Sequence, residues 1–193
     1  MICVQELGLT SQYRDDVEFR RYCAMINGLA FLPLTDIHAG MDVLKRTLPP
    51  AAEPLIEYFD ETYVSGSTRS TAAGARRFRA RFPPEVWNVH DATLLNGNRT
   101  NNFAEAWNRR YEVLVGHPHP SIWLAIETLQ ADAAEARTMI SRHRLGNLGS
   151  RRRRRATVQR QRRLCALCQE YRDRKRTIAD FLYAVGAQIA LQH

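Results

Sequence analysis

One segment of the sequence places a single carboxylate among amide and guanidinium side chains. It runs from Arg99 to Arg110 as Arg-Thr-Asn-Asn-Phe-Ala-Glu-Ala-Trp-Asn-Arg-Arg, and Glu105 is its only acidic residue. Amides and guanidinium groups suit contacts with sugar and phosphate oxygens, and a carboxylate suits a hard divalent cation. Spacing alone favours a simpler interpretation, in which the helix dipole stabilises Glu105 and Arg109 is its ion-pair partner four residues on.

The same segment supplies the first set of candidate contacts to nucleic acid. Its members are the polar and basic side chains that lie around Glu105: Arg99, Asn101, Asn102, Asn108, Arg109 and Arg110.

A second set lies in a strongly basic stretch near the end of the chain. Residues 151–176 contain 12 Arg or Lys against two acidic residues, a net charge of +10, whereas the rest of the chain carries −2. Guanidinium groups this dense must be solvated or paired with an anion, and nucleic acid rewards such clusters through counterion release. A nuclear-localisation signal and a solvated linker are the alternatives. The candidate DNA contacts here are Arg151, Arg152, Arg153, Arg154 and Arg155.

Composition excludes several classes of protein. No run of 18 or more apolar residues is present, so a membrane span is not expected, and the first residues do not have the pattern of a signal peptide. The four cysteines, Cys3, Cys23, Cys165 and Cys168, are too few and too scattered for a disulfide scaffold. They indicate reduced thiols in a cytosolic or nuclear protein, and the single CxxC at 165–168 is typical of core residues rather than half a zinc site.

Helical periodicity extends over most of the chain. Apolar residues recur every three or four positions, which predicts helices at 15–31, 36–48, 51–63, 85–95, 101–115, 121–145 and 164–191. The first has the apolar stripe Phe19, Tyr22, Met25 or Ile26, and Leu29. No alternating pattern of useful length indicates a strand. The predicted fold class is therefore all-α.

The helix that contains Glu105 and the helix after it are predicted to have buried stripes. On the first helix the stripe is Phe103, Trp107, Tyr111 (or the stem of Arg110) and Leu114. On the second, the stripe consists of Ile122, Ala125, Ile126, Leu129, Ala133, Ala136 and Ile140. Residues with this spacing normally face a core.

Three regions are expected. Residues 1–148 form a helical region with a mobile loop at 64–81, residues 149–163 form an Arg-rich linker, and residues 164–193 form a C-terminal helix. The loop is rich in Ser, Thr and Gly, and Arg76, Arg77, Arg79 and Arg81 follow with Phe78 and Phe82 interleaved. This mixture suits contacts with a nucleic-acid backbone, although a solvated loop with two anchoring rings is the preferred interpretation.

The segment 99–110 resembles the part of Mutator-like (MULE) DDE transposases that contains the last acidic residue of the catalytic site. Further similarities follow in the family's order. They are Leu29–Pro33, Leu55–Val64, Phe82–Val89, His119–Trp123, Tyr171 and Asp180–Leu182.

The resemblance implies a specific origin for the chain. It corresponds to the insertion and C-terminal helices of an RNase H-like transposase, with the catalytic sheet missing. Two metal-binding aspartates lie upstream in the family, and we expect the chain to begin after them. Glu105 would then be the catalytic and metal-binding glutamate, but only together with those aspartates. The full-length family uses Mg²⁺ or Mn²⁺, and similar proteins often carry a FLYWCH-type zinc finger that is not found here.

Two functions are consistent with these observations. In the first, the chain is a truncated or domesticated transposase fragment that binds DNA through its basic segments in the nucleus and is inactive alone. In the second, it is a helical adaptor or dimerisation module without DNA activity, which uses Phe103, Trp107 and Tyr111 as an exposed apolar patch. The expected partners are DNA, a second copy or an intact transposase, with no membrane and no small-molecule substrate. A true start further upstream, which would restore an enzyme, is a third possibility.

Overall fold

A computed structural model of the chain describes residues 2–71, 74–97, 99, 102–146 and 155–190, without the side chains of residues 2, 3, 69–71, 102 and 103. Two compact units are present. The first comprises Met1–Gly97 and Arg155–His193, and the second comprises Asn98–Arg154. The first unit is therefore built from two separate stretches of sequence.

Helices account for 75% of the structure and strands for 4%, which confirms the all-α class. The α-helices are α1 (Ile2–Glu6), α2 (Thr10–Asp15), α3 (Val17–Gly28), α4 (Ile37–Arg46), α5 (Glu53–Phe59), α6 (Pro84–Trp87), α7 (His90–Leu94), α8 (Asn102–Val115), α9 (Ile122–Arg144), α10 (Arg155–Arg172) and α11 (Ile178–Ala190). Short 3₁₀ turns occupy Leu29–Phe31, Leu34–Asp36 and Pro50–Ala52, and a π-helical turn, Asp60–Val64, extends α5. No helix in the described ranges is long and apolar enough to cross a membrane.

The segment 64–81 differs from the predicted mobile loop. Strand β1 (Ser67–Thr71) pairs antiparallel with strand β2 (Gly74–Phe78), and the register places Arg69 opposite Arg76. Every residue of β2 is exposed. A strand that is exposed on both faces has no apolar alternation, so the usual sequence signal for a strand is missing.

The core of the first unit surrounds α3. The buried residues of its stripe are Phe19, Tyr22, Ile26 and Leu29. Of the two alternatives that the sequence left open for the third position, Ile26 is therefore the buried one, and Met25 is not. Phe181, Leu182 and Val185 of α11 are fully buried against the same core. Asp16 caps α3, since its carboxylate accepts the backbone N–H groups of Glu18 and Phe19.

Helices α3 and α11 cross at small residues. A Cβ atom on Gly186 would lie 3.0 Å from the backbone of Ala24, and one on Gly28 would lie 3.3 Å from the carbonyl oxygen of Leu182. Glycine at both places allows the two backbones to approach closely. Helix α11, the last described helix, therefore packs closely against α3.

The predicted single helix from residue 164 to residue 191 is wrong, because the structure has two helices there. Helix α10 ends in a Schellman motif, in which the Lys175 N–H donates to the Glu170 carbonyl and the Arg174 N–H to the Tyr171 carbonyl. Arg174 has a φ of 58°. Thr177 caps the start of α11, because its Oγ1 accepts the Asp180 N–H and donates to the Asp180 carboxylate.

Cys23, Cys165 and Cys168 are free thiols. Cys168 is fully buried, and its Sγ–H points to the carbonyl of Phe31 at 3.7 Å. Burial raises the pKa of the Cys23 thiol to about 11. The Cys23 thiol is thus protonated at neutral pH, and a protonated thiol is a poor nucleophile.

The second unit contains two helices, α8 and α9, joined at Gly116, whose φ is +80°. Ser121 caps α9 by accepting the N–H of Leu124. The predicted buried stripe of α9 is wrong: Ile122, Ile126, Leu129 and Ile140 are all exposed, and α9 has no buried residue. Among the described residues of this unit, α8 is the one helix beside α9, so most of the apolar stripe of α9 has no helix to pack on within the unit.

Candidate nucleic-acid interface

Glu105 lies in the first turn of α8 and is exposed. Arg109, one turn later, is exposed as well, and neither residue has an ion-pair partner in the described part of the chain. The Glu105–Arg109 pair that spacing favours is therefore not formed. Asn108 is exposed beside them. The start of α8 thus presents a carboxylate, an amide and a guanidinium group to solvent.

Arg110 has a different environment from Arg109. Its Nη2 lies 2.8 Å from Asp132 Oδ1 and 2.7 Å from Glu135 Oε2, both on α9. Trp107 donates from Nε1 to the same Asp132 carboxylate at 3.0 Å and stacks on Tyr111 with a centroid distance of 5.3 Å. We call Trp107, Arg110, Tyr111, Asp132 and Glu135 the hairpin clamp. Because two carboxylates already hold Arg110, its guanidinium group joins α8 to α9.

The predicted aromatic stripe of α8 is only partly buried. Trp107 is 39% exposed, Leu114 is exposed and Tyr111 is half-buried, whereas Val115 is the residue of α8 that is buried. The Phe103 side chain lies outside what is described. The polar bonds of the clamp, rather than a wide apolar contact, connect the two helices.

Several predicted contacts fall outside the described residues. These are Asn101, the side chain of Asn102, and Arg151, Arg152, Arg153 and Arg154. Arg99 is described and half-buried. Arg155 is described, exposed and located at the first position of α10.

Helix α10 presents the described part of the basic segment. Arg155, Arg162 and Arg163 are exposed on the face that the helical period turns away from the buried Leu164 and Cys168. Arg160 is half-buried and lies one helical turn before Leu164, on the side of α10 that faces the core. We call Arg155, Arg162 and Arg163 the α10 basic face. None of them has an ion-pair partner in the described ranges.

Two of the more distal basic residues have carboxylate partners. Arg176 pairs with Glu170 at 2.6 Å, and Lys175 lies 3.4 Å from Asp173. The arginines without an ion pair in the described ranges are therefore Arg155, Arg160, Arg162 and Arg163 in the first half of α10, and Arg172 and Arg174 at its end. This helix covers residues that the sequence assigned to a linker at 149–163, so that Arg155, Arg160, Arg162 and Arg163 lie on a regular scaffold.

The sequence indicated Arg76 and Arg77 as possible contacts with a nucleic-acid backbone, but it did not predict the strand pair β1–β2 in which Arg76 and Arg77 lie. This strand pair is a third basic element. Between Thr62 and Pro84 the sequence has five arginines and no acidic residue. We call the two strands, Ser67–Thr71 and Gly74–Phe78, the arginine ribbon. A signal was available: two short runs that contain Thr or Phe are separated by the small residues Ala72 and Ala73, as in a tight hairpin.

The base of the arginine ribbon is held by aromatic packing and hydrogen bonds. Tyr63 stacks between Phe59 and Phe82, with centroid distances of 5.0 and 5.7 Å. Trp87 donates from Nε1 to the carbonyls of Tyr63 and Phe82 at 3.1 and 2.9 Å. Phe82 therefore anchors the segment, as the basic-aromatic pattern suggested.

Gly66 permits the first strand to pass close to the chain that leaves the second. Its φ is +77°, and a Cβ atom there would lie 2.0 Å from the carbonyl oxygen of Phe78. Any other residue at position 66 must move one of the two strands.

The residues around Glu105 do not fit a pair of Mg²⁺ or Mn²⁺ ions. Two catalytic divalent ions lie about 4 Å apart and are held mainly by shared carboxylates. In the described part of the chain no three His, Cys, Asp or Glu side chains come together in a way that could hold even one ion. Glu105 by itself supplies one ligand.

Compared with models of protein families, with curated proteins and with solved structures, the chain matches none of them. The transposase resemblance therefore rests on the motifs in the sequence and stays a prediction.

Proposed function

We propose that this chain is a DNA-binding protein derived from a Mutator-like transposase and that it does not cut DNA by itself. The observation that carries the proposal is the α10 basic face. Its arginines lie on one scaffold, point away from the core and lack carboxylate partners in the described ranges. Phosphate groups are the anions that such a cluster binds with a gain from released counterions.

The proposed partner is DNA, and the proposed location is the nucleus. Arg109 and Asn108 would add contacts to sugar and phosphate from the second unit, because both are exposed. The arginine run at 151–155 suits a nuclear-localisation signal as well as DNA.

A salt titration tests the proposal. Anisotropy of a labelled DNA duplex is followed with the full chain over a range of salt concentrations, and the logarithm of the affinity is plotted against that of the salt concentration. We expect a steep negative slope. The double variant Arg162→Gln/Arg163→Gln should reduce its magnitude by about two, since each phosphate contact contributes about 0.9.

A matched control removes the same charge elsewhere. Arg137 and Arg142 are exposed on α9 and belong to none of the surfaces defined above. Arg137→Gln/Arg142→Gln should leave the slope near that of the natural chain. Equal effects of the two double variants, or no salt dependence at all, would contradict the proposal.

The absence of DNA cleavage has its own experiment. Supercoiled DNA is incubated with the chain and Mg²⁺ or Mn²⁺, and nicked or linear products are counted. We expect none, because Glu105 supplies one carboxylate where a two-metal site shares several. Cleavage that Glu105→Ala abolishes would overturn this part of the proposal.

The second candidate function is a helical adaptor, and the exposed apolar side chains of the second unit favour it. Val113, Leu114, Ile122 and Trp123 are exposed, and Trp123 retains 74% of its accessible surface. Apolar groups of this size on one small unit suit a protein partner, either a second copy or an intact transposase. Light scattering at micromolar concentration should then show dimers that Trp123→Ser disperses. A monomer at all concentrations would argue against self-association.

A further inference from the structure

We infer that the arginine ribbon enters the major groove of double-stranded DNA. The inference rests on the proposed DNA-binding function and deepens it, because it names the form of nucleic acid and the element that distinguishes it. The α10 basic face would hold the phosphate backbone, whereas the arginine ribbon would contact the groove.

The dimensions of the arginine ribbon match the groove. Each strand has five residues, so the ribbon is about 17 Å long, and its strands are about 4.8 Å apart. The major groove of B-DNA is about 12 Å wide and 8.5 Å deep, and it admits a two-stranded ribbon. Every residue of β2 is exposed, so the described chain leaves that strand accessible.

The charge of the arginine ribbon points to an anionic partner. The register sets Arg69 opposite Arg76, and like charges at directly opposing positions destabilise a strand pair. Arg77 has no carboxylate partner among the described residues. Just beyond the ribbon, Arg79 pairs with Glu85 at 3.0 Å, but both side chains are largely exposed, so that pair contributes little. A bound polyanion would relieve the repulsion.

The arginine ribbon is also held at its base, which distinguishes it from a flexible charged loop. The stacked rings of Tyr63 and Phe82, together with the Phe82 N–H donated to the Thr62 carbonyl, fix the two chain ends beside each other. An isolated two-stranded hairpin is only marginally stable in water. An anchored base lowers the ordering cost on binding.

The test compares duplex DNA with duplex RNA of the same sequence. A-form RNA has a deep, narrow major groove that protein side chains do not reach, so the arginine ribbon should contribute to DNA binding only. We expect Arg76→Gln/Arg77→Gln to weaken DNA binding on the order of tenfold. Its RNA affinity should change little. The control Arg137→Gln/Arg142→Gln should leave both affinities near those of the natural chain.

A second variant tests the shape of the arginine ribbon without changing its charge. Gly66→Ala introduces a Cβ atom 2.0 Å from the Phe78 carbonyl and must open the base. We expect it to weaken DNA binding by a factor similar to that of the double arginine variant. Gly97→Ala is the matched control, because a Cβ atom there meets ordinary contacts at 3.5 Å. If Gly66→Ala binds DNA as tightly as the natural chain does, the inference that DNA binding needs the ordered ribbon is refuted.

The outcomes separate the inference from the function on which it rests. If Arg162→Gln/Arg163→Gln weakens binding and Arg76→Gln/Arg77→Gln does not, the α10 basic face stands and the groove contact is refuted. Equal losses on DNA and RNA after the ribbon change would also refute it, because the ribbon would then contact phosphates alone. A natural chain that binds neither duplex with any salt dependence refutes the proposed function itself.

Discussion

Arg174 adopts the left-handed backbone conformation, with a φ of 58°, directly after α10. It occupies the position of the Schellman motif at which glycine is most common. An L-residue with a side chain is less stable in this conformation by about 1–2 kcal/mol. The hydrogen bonds that close α10, and the packing of α10 and α11 around Leu164 and Phe181, hold Arg174 there.

Replacing Arg174 with glycine should therefore stabilise the protein. We expect Arg174→Gly to raise the free energy of unfolding by about 0.5–1 kcal/mol, since the relief of strain exceeds the entropy that glycine loses on folding. Urea denaturation followed by circular dichroism measures the change. Arg172→Gly, two residues earlier and inside α10, should have the opposite sign. A loss of stability in Arg174→Gly would show that the Arg174 side chain itself stabilises the turn.

The conformation of a single residue could be predicted from the sequence where its own side chain and its neighbours in the chain determine it. The sequence Asn96-Gly97-Asn98 is typical of a turn, because Asn and Gly tolerate positive φ, and Asn96 does have a φ of 54°. The pairing of Arg110 was not predictable, since its partners Asp132 and Glu135 lie more than 20 positions away in the sequence. Arg109 and Arg110 look equivalent in the sequence, and only the rotation of α8 distinguishes them.

Within the second unit, the hairpin clamp joins two helices that share little apolar contact. Asp132 receives both the Arg110 guanidinium and the Trp107 N–H, and its side chain is only 16% exposed. If the Asp132 carboxylate loses its cationic partner, the free-energy cost of its desolvation is no longer offset by an ion pair. Arg110 is therefore expected to matter more to α8 and α9 than an ordinary surface arginine.

Removal of Arg110 should loosen α8 and α9. We expect Arg110→Ala to destabilise this pair of helices by about 1 kcal/mol, near the upper end for exposed ion pairs. Hydrogen exchange of the backbone amides in α8 and α9, measured by mass spectrometry on the full chain, reports the change. Arg109→Ala is the matched control and should leave the exchange rates unchanged. Equal protection in both variants would mean that the clamp does not stabilise the unit.

Elements with a helical apolar period were found from the sequence, whereas the arginine ribbon was not. Helices α3, α4 and α9 have long patterns with one reinforcing signal at each end, such as Asp16, Ser121 and Gly146. The strands β1 and β2 consist of Ser, Thr, Gly, Ala and Arg with a single Phe. Such a composition is equally typical of a loop. The two segments are strands because they pair with each other across the turn.

At the scale of the molecule, the first unit is completed by its last helix. Phe181, Leu182 and Val185 of α11 are fully buried in the core that also contains Phe19 and Leu29. The contact depends on the close approach at Gly28 and Gly186. A larger side chain at this crossing must separate α11 from α3.

Enlarging Gly186 should thus destabilise the whole first unit. We expect Gly186→Val to lower the free energy of unfolding by about 1–3 kcal/mol, the usual cost of overpacking a core. The contacting atoms belong to the backbone of Ala24 and Met25, so no side chain can turn aside. Ala187→Val, at the next and exposed position, should change stability much less. Similar losses in the two variants would indicate that helix propensity, and not the crossing, is responsible.

The discontinuous first unit was beyond reach of the sequence. Periodicity predicts which face of α3 or α11 is apolar, but it does not say that residues about 160 positions apart pack together. The boundary expected at residue 148 lies near the division between Arg154 and Arg155, but the division after Gly97 was not predicted. The structure instead joins α10 and α11 to α3, α4 and α7.

The burial of α11 against α3 also sets the order of events on the ribosome. The nascent chain presents the apolar faces of α3 and α4 long before α11 is synthesised. At the usual rate of translation this delay is on the order of 10 s. During that interval the first unit has no complete core, so newly made chains should depend on chaperones, and translation that stops before residue 178 should yield a product that proteases degrade.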